Sequence, residues 1–90
     1  DPTVDAEFRA RHPLDAPDLI ELFSWDEATF LKRMEGSAIR RIGYLRWLRN
    51  IAVALGNAPP SAEISSALES KLGIDEMVDE HIRWALEQQA

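Results

Sequence analysis

The sequence predicts an all-α protein of about five helices with no sheet. Apolar residues recur at the i, i+3, i+4 and i+7 positions that form one face of a helix. No segment alternates apolar and polar residues with the period of a half-buried strand. Ser, Asp or Pro stands before the periodic segments and Gly after most of them, as at helix ends. Together these three observations predict the fold class before any motif is considered.

The composition is that of one small globular domain. The 90 residues are 46% hydrophobic and 29% charged, which excludes a disordered chain. The absence of cysteine excludes disulfides, thiolate metal sites and iron–sulfur clusters within the chain, and it is compatible with a reducing compartment. No apolar run approaches the roughly 18 residues that a membrane span needs. Because the chain opens on Asp1 and Pro2 without a signal-like segment, we expect a fragment of a longer protein.

Two regions are predicted. Residues 1–24 are expected to form an extended arm followed by a short helix, and residues 25–90 to form the helical domain. Three prolines and no sustained period indicate that residues 1–17 are extended, with Phe8 and Leu14 as contacts to the core. The short helix is expected to begin near Pro17.

The segment "SWDEATFLKRMEGS" predicts the first long helix, which is expected to end near Gly36. Ser24 and Glu27 have the spacing of a capping box at its start. Its apolar face is expected to consist of Phe30, Leu31 and Met34.

The central segment predicts two helices separated by Gly43. Ser37 is the expected cap of the short "AIRRI". Gly43 lowers helix propensity by about 1 kcal/mol relative to Ala, so we expect a break there. "YLRWLRNIAVALGN" then predicts a strong helix that ends at Gly56. Its buried face is expected to contain Leu45, Leu48, Ile51, Ala52 and Leu55.

Two further helices are predicted after Pro59 and Pro60. Ser61 caps "SAEISSALESKLG", which Gly73 closes, and Asp75 caps "DEMVDEHIRWALEQQA". The inward residues of the first are expected to be Ile64, Ala67, Leu68 and Leu72. Those of the second are expected to be Met77, Val78, Ile82, Ala85 and Leu86.

A weak internal repeat relates the last helix to the central one. At an offset of 31 residues, "WLRNIAVAL" aligns with "VDEHIRWAL" and shares Ile, Ala and Leu at three positions. The order of helix, Pro-containing turn, helix, Gly turn and helix is that of a HEAT-like or armadillo-like solenoid. The sequence therefore predicts an α-α superhelix of about one and a half units.

Positive charge is concentrated in one segment of an acidic chain. Residues 32–49 hold six basic residues and one acid, a net of +5, while the rest holds 4 basic and 15 acidic residues, a net of −11. A local positive field attracts a polyanion in one orientation. Arginine neutralises phosphate and stacks on unpaired bases, so RNA is the candidate ligand. The candidate RNA-binding residues are Arg40, Arg41, Tyr44, Arg46 and Arg49.

These residues also have structural alternatives. The arginines have Glu35, Glu27 and the acidic last helix as potential ion-pair partners, and such surface pairs contribute little stability. Tyr44 has the alternatives of stacking on a base or packing in the core. Because Arg40 and Arg41 are adjacent on a helix, at most one of them is expected to share a face with the two later arginines.

The other conspicuous residues favour structural roles. Asn50 is expected to hydrogen-bond a turn or a partner helix. His12 and His81 lack the spacing of metal ligands, and the acids of "DEMVDE" are interpreted as partners of a helix N-terminus. No Walker, GxGxxG or Ser–His–Asp pattern indicates an independent enzyme. The expected core anchors are Trp25, Trp47 and Trp84.

The blocks "GSAIRRIG" and "RWLRNIAVALGN", followed by two helices ending in "EHIRWAL", resemble the C-terminal region of epoxyqueuosine reductases. The preceding "FRARHPLDAPDLIELFSWDEATFLKR" is similar to the segment that joins this region to the family's iron–sulfur domain, so the resemblance covers nearly the whole chain. It implies a HEAT-like domain that helps to hold tRNA. The parent implied is a cytoplasmic cobalamin and [4Fe-4S] enzyme, with two clusters, that reduces epoxyqueuosine to queuosine.

This chain departs from the complete family pattern, since it has no cluster-binding cysteines and no cobalamin domain. We therefore expect a non-catalytic fragment that holds no cofactor or metal itself, with any role of Arg9 and Arg11 unassigned. Two functions stay open. One is an accessory domain that binds the tRNA anticodon stem-loop. The other is a helical protein-interaction module that docks on its own catalytic domain or on an acidic partner.

Overall fold

Six helices form the part of the chain that the computed structural model describes, residues 15–90. They are α1 (Ala16–Ser24), α2 (Glu27–Arg33), α3 (Ala38–Ile42), α4 (Tyr44–Gly56), α5 (Ala62–Glu69) and α6 (Glu76–Gln89). Residues 15–90 contain no strand, so the all-α prediction is confirmed, and each of the six segments predicted to be helical contains a helix. The expectations that fall outside the described residues concern the arm and Phe8, Arg9, Arg11, His12 and Leu14.

Most helices begin at polar caps that the sequence encodes. Asp15 accepts the amide N–H of Asp18 at 3.1 Å, and Asp18 accepts that of Asp15, which forms a capping box on α1. Pro17 lies in the first turn of this helix, as predicted. The predicted caps of α3, α5 and α6 are also confirmed, namely Ser37, Ser61 and Asp75.

The start of α2 differs from the prediction. Its N-cap is Asp26, whose carboxylate accepts the Thr29 amide N–H at 2.8 Å. This hydrogen bond, followed by one from the Thr29 side chain, lowers the pKa of Asp26. The Ser24 hydroxyl instead donates to a carbonyl in the last turn of α1, and Trp25 is extended. The predicted capping box of Ser24 and Glu27 was therefore wrong, because α1 continues through Ser24 and occupies its hydroxyl.

The buried face of α4 is rotated from the predicted one. The break at Gly43 is confirmed, with φ at +92°, and α4 begins at Tyr44. Leu45 is 39% exposed, so its predicted burial was wrong. The ring of Phe30 lies 5.8 Å from that of Tyr44 and 5.2 Å from that of Trp47, and these aromatic residues bury more area than a leucine does. The inward residues are Tyr44, Trp47, Leu48, Ile51, Ala52 and Leu55.

The helix α5 is shorter than predicted. It ends at Glu69, and Leu72 beyond it is exposed, so the inward placement of Leu72 was wrong. The turn is instead fastened by Lys71, whose ammonium donates to the carbonyls of Ser24 and Trp25 at 3.3 and 3.1 Å. A cation placed at these carbonyls is favourable, because they form the negative end of α1.

The other predicted apolar faces are confirmed. Fully buried side chains on them are Phe30, Ile64, Leu68, Val78, Ile82 and Ala85. Half-buried side chains that pack against this core are Leu31, Met34, Ala67, Met77 and Leu86. The helical spacing of apolar residues thus identified the inward side of α2, α5 and α6 correctly.

Helices α4 and α6 run parallel, with α5 antiparallel to both. At one end, the Gln89 side chain near the end of α6 donates to the Leu55 carbonyl at 3.0 Å and accepts the Ser61 amide N–H at 2.9 Å. At the other end, the Lys71 ammonium after α5 donates to the Tyr44 hydroxyl at 3.2 Å, where α4 begins. The outer surfaces of α4 and α6 are therefore neighbours along their length.

Helix α1 shares the core of the later helices. Leu19, Leu22 and Phe23 are buried in it, and the Trp47 indole N–H donates to the Leu22 carbonyl at 3.2 Å. The predicted division between residues 24 and 25 stays a prediction. No helix within residues 15–90 combines the length and the apolar character that crossing a bilayer requires.

Candidate nucleic-acid interface

Two of the candidate arginines share the outer face of α4. Because the opposite face is buried, the spacing of Arg46, Arg49 and Val53 turns these three residues away from the core. Arg46 is exposed and forms no hydrogen bond or ion pair within residues 15–90. Arg49 is half-buried, and its Nε and Nη2 donate to the Asn50 side-chain oxygen at 3.2 and 3.1 Å. Neither guanidinium is neutralised by a carboxylate in this part of the chain.

The adjacent arginines on α3, Arg40 and Arg41, have different surroundings. Arg40 donates from Nε to the Leu31 carbonyl at 2.9 Å, so it contacts the last turn of α2. Arg41 is exposed and has no partner among the described residues. The ion pairs with Glu27 or Glu35 that the sequence left open do not form. The structure thus ties Arg40 to a neighbouring helix and leaves Arg41 available.

Tyr44 lies in the core. It is 8% exposed, and its hydroxyl donates to the Trp25 carbonyl at 2.5 Å and accepts from the Lys71 ammonium at 3.2 Å. The same ammonium lies 6.0 Å from the ring centroid. With its hydroxyl engaged and its ring packed against Phe30, Tyr44 has the structural role that was the alternative to base stacking. The candidate interface therefore does not include it.

The three tryptophans differ in exposure. Trp47 is buried, as predicted, and Trp25 is half-buried and stacked on it with ring centroids 5.5 Å apart. Arg33 covers the Trp25 ring at 5.6 Å from its centroid. Trp84 is 38% exposed, so its prediction as a core anchor was wrong. The edge of its indole lies against α4 at Gly56, which has no side chain.

An open groove lies between the outer faces of α4 and α6. It has a volume of about 330 Å³ and is lined by Val53, Glu80, His81 and Trp84. The Nδ1 of His81 lies 2.8 Å from the Met77 carbonyl, which can only accept, so Nδ1 carries a proton. Sequence reasoning missed this groove, although the repeat at an offset of 31 residues aligns Val53 with Trp84.

The indole of Trp84 packs against Gly56. A Cβ at this position would lie 2.6 Å from Cζ3 of Trp84 and 2.9 Å from the Cα of Ala85. Contacts under 3.0 Å force a shift, and the backbone of Ala85 cannot move as a side-chain end does. The absence of a side chain at Gly56 therefore lets the indole and α6 approach the last turn of α4.

We expect Gly56→Ala to lower the free energy of unfolding by about 1–2 kcal/mol, because overpacking outweighs the better helix propensity of Ala. Urea unfolding monitored by circular dichroism measures the change in the free energy of unfolding. In a Trp84→Ala background the loss should be smaller but not zero, since the contact with Ala85 remains. A stabilising effect of Gly56→Ala would contradict the close packing of α4 on α6.

Two acids of "DEMVDE" accept backbone hydrogen bonds at the start of α6. Asp75 accepts the Val78 amide N–H at 3.1 Å, and Asp79 accepts that of Gly73 at 3.0 Å. No cluster of three or more potential metal-ligating side chains occurs among residues 15–90. These carboxylates fasten the start of α6, as the interpretation of "DEMVDE" expected.

The known proteins that this chain resembles include several epoxyqueuosine reductases. The chain is 60% identical over 88 residues to the epoxyqueuosine reductase of Aliivibrio fischeri, a match covering 98% of this chain and 24% of the relative. It is 63% identical over 87 residues to that of Escherichia coli, covering 97% of this chain and 23% of the relative. The chain matches the C-terminal region of epoxyqueuosine reductases. The resemblance inferred from the sequence blocks is thereby confirmed.

The match covers only part of each relative. The chain spans about a quarter of the length of the curated epoxyqueuosine reductases that it matches. No protein-family model and no solved structure matches the chain. The similarity to epoxyqueuosine reductases therefore identifies the region that this chain corresponds to.

Proposed function

We propose that this chain is a non-catalytic accessory domain of an epoxyqueuosine reductase and that it binds the anticodon stem-loop of tRNA. The observation that supports the proposal is the outer face of α4, where the exposed Arg46 and the half-buried Arg49 have no carboxylate partner among the described residues. Unpaired guanidinium groups bind phosphate by charge and by forked hydrogen bonds. The carboxylates of α6 repel phosphate groups, which restricts the RNA backbone to one orientation.

The arrangement of the last three helices supports a HEAT-like repeat. Helices α4 and α6 are parallel and adjacent, and α5 returns between their ends. The offset of 31 residues pairs Ile51 with Ile82, and both are buried. In a solenoid, equivalent helices of successive repeats lie side by side in this way.

The residues of this chain do not fit the iron–sulfur clusters of the proposed parent. A [4Fe-4S] cluster is held by cysteine thiolates, and this sequence has no cysteine. The residues present therefore do not fit a cluster, and no catalytic step is assigned to them. Cobalamin and both clusters of the proposed parent would belong to the preceding domains.

Reversing the charge of the α4 face should weaken RNA binding. For Arg46→Glu combined with Arg49→Glu, we expect the affinity for an anticodon stem-loop to fall about tenfold or more at about 0.1 M salt. The slope of log K against log salt should fall by roughly 0.7–0.9 for each phosphate that the variant no longer neutralises. Fluorescence anisotropy at several salt concentrations measures both quantities.

The matched control is Lys32→Glu combined with Arg83→Glu. It changes the net charge by the same amount at two exposed positions on α2 and α6 that have no partner among the described residues. This control should lower the affinity for the stem-loop less than the α4 double variant does. It should also lower the slope of log K against log salt by a smaller amount. Equal effects of the two double variants would assign RNA binding to net charge rather than to the α4 face.

A second function is supported by exposed apolar residues at one end of the molecule. Side chains with large exposed apolar area include Ile42, Leu45, Leu72 and Ile74. The contact of Lys71 with Tyr44 brings the segments that carry them together. A surface of this kind suits docking on the catalytic domain of the same enzyme. If this alternative is correct, the chain should not retain RNA. It should instead co-elute with the part of a related epoxyqueuosine reductase that this chain does not cover, when that part is supplied as a separate polypeptide.

A further inference from the structure

We propose that the groove lined by Val53, Glu80, His81 and Trp84 binds one unpaired nucleobase, stacked on the Trp84 indole. This inference rests on the proposed RNA binding and adds to it the residue that holds a base rather than a phosphate. Phosphate contacts carry no base information, so an exposed aromatic ring on the helix next to the α4 arginines would add a preference for RNA with an unpaired base. The ligand class is an RNA loop with a base free to leave its stack.

Trp84 is exposed yet held in place. It keeps 38% of its surface open to solvent, although nearby aliphatic side chains such as Ile82 are fully buried. The edge of its indole rests on Gly56, where any side chain would meet Cζ3 at 2.6 Å. A ring fixed by backbone on one edge loses little freedom when a base stacks on it. This distinguishes it from the exposed leucines, which offer no flat face.

The polar groups of the groove suit a base edge. Because Nδ1 of His81 donates to the Met77 carbonyl, Nε2 is left to accept in the neutral ring or donate in the charged one. The Glu80 carboxylate accepts hydrogen bonds from exocyclic amino groups such as that of cytosine. The same carboxylate repels a phosphate, so a nucleotide would enter with its base in the groove.

Two cations lie on the same face of α4 as Val53, which lines the groove. Arg49 precedes Val53 by four residues on the same face, which is about 6 Å along the helix axis. Arg46 follows the same line one turn further toward the start of α4. A base on Trp84 and a backbone along Arg49 and Arg46 therefore match the order of aromatic and positive groups that single-stranded RNA requires.

The experiment compares Trp84→Ala and Trp84→Phe in the whole 90-residue chain. Two RNA probes of equal length are used, an anticodon stem-loop and a fully paired duplex. For the stem-loop, Trp84→Ala should lower affinity about 5- to 100-fold with the salt slope unchanged, because stacking carries no charge. In the unaltered chain, a base stacked on Trp84 should quench its fluorescence. Trp84→Phe should retain most of the affinity but lose this quenching. Duplex binding should not change with either variant.

The outcomes separate this inference from the proposed function. If the unaltered chain binds neither probe, both are overturned. If the stem-loop binds with an arginine-dependent salt slope but equally well to Trp84→Ala, only the nucleobase site is overturned. A loss that is equal for stem-loop and duplex also overturns it, since a general folding defect lowers both. The nucleobase site is supported if Trp84→Ala lowers the affinity for the stem-loop but not for the duplex, while Trp84→Phe lowers neither.

Discussion

Replacing Gln89 with Ala is expected to lower the free energy of unfolding by about 2–4 kcal/mol, because its buried amide bonds three backbone groups. The side chain is only 8% exposed. Its Nε2 donates to the carbonyls of Leu55 and Ala58 at 3.0 and 2.9 Å, and its Oε1 accepts the Ser61 amide N–H at 2.9 Å. One amide thus joins the end of α4, the proline turn and the start of α5.

The size of the effect follows from what is left behind. Truncation removes the two N–H groups that Gln89 donates, one to the Leu55 carbonyl and one to the Ala58 carbonyl. It also leaves the Ser61 N–H at a partly buried position without its partner. A buried polar group without a hydrogen bond costs about 1–3 kcal/mol, whereas a satisfied one contributes only about 1 kcal/mol net. The loss should therefore exceed that of an ordinary surface change several-fold.

Two variants make the measurement specific. Gln88→Ala changes the exposed neighbour on the same helix and should stay within about 0.5 kcal/mol of the unaltered chain. Gln89→Glu keeps the shape and the acceptor but places an oxygen against two carbonyls, so at neutral pH it should destabilise at least as much as Gln89→Ala. Urea unfolding of all three gives the comparison. Similar values for the Gln88 and Gln89 variants would refute the role of this amide.

Gln89 also shows what periodicity can and cannot predict. The spacing of apolar residues identified α4 to α6 and most inward positions, because burial repeats with the turn of the helix. It gave no sign of Gln89 or Lys71, whose partners are backbone carbonyls 34 and 46 residues away in sequence. Contacts of this kind depend on how the helices pack, and a polar residue that will be buried is not marked in the sequence.

The errors within α4 and at Trp84 have a related cause. Leu45 and Tyr44 are neighbours, and the position of the Gly43 break together with the Phe30 ring decides which of them turns inward. Trp84 was placed in the core because of its size. A glycine facing it on another helix is the signal that an indole edge passes there, but the pairing becomes visible only once α4 and α6 are parallel.

The candidate site was predictable in part for the same reason. Arg46 and Arg49 lie opposite a buried stripe on one helix, so the sequence alone placed them on an outer face. Arg40 belongs to a different helix, and its bond to the Leu31 carbonyl at 2.9 Å crosses to α2. Charge along a chain can therefore be assigned to a face within a helix, but not across a break such as Gly43.

Phe30→Ala is expected to have the largest effect on stability, a loss of about 3–5 kcal/mol. Phe30 is fully buried, and its ring packs against the rings of both Tyr44 and Trp47. Truncation leaves a cavity between α2 and the start of α4, and it also removes the favourable tilted packing of the rings. Domains of this size have a total stability of about 5–15 kcal/mol, so such a variant should be marginally folded at about 37 °C.

The controls test whether volume or aromatic packing dominates. Leu31→Ala removes a half-buried neighbour on the same helix and should cost clearly less than Phe30→Ala. Phe30→Leu fills most of the cavity and should restore much of the stability, leaving the ring packing as the remaining difference. Thermal and urea unfolding measure each variant. Equal losses for Leu31→Ala and Phe30→Ala would mean that α2 does not depend on this aromatic cluster. In that case the anchoring of Arg40 on the last turn of α2 would not depend on it either, because that anchor needs α2 in place.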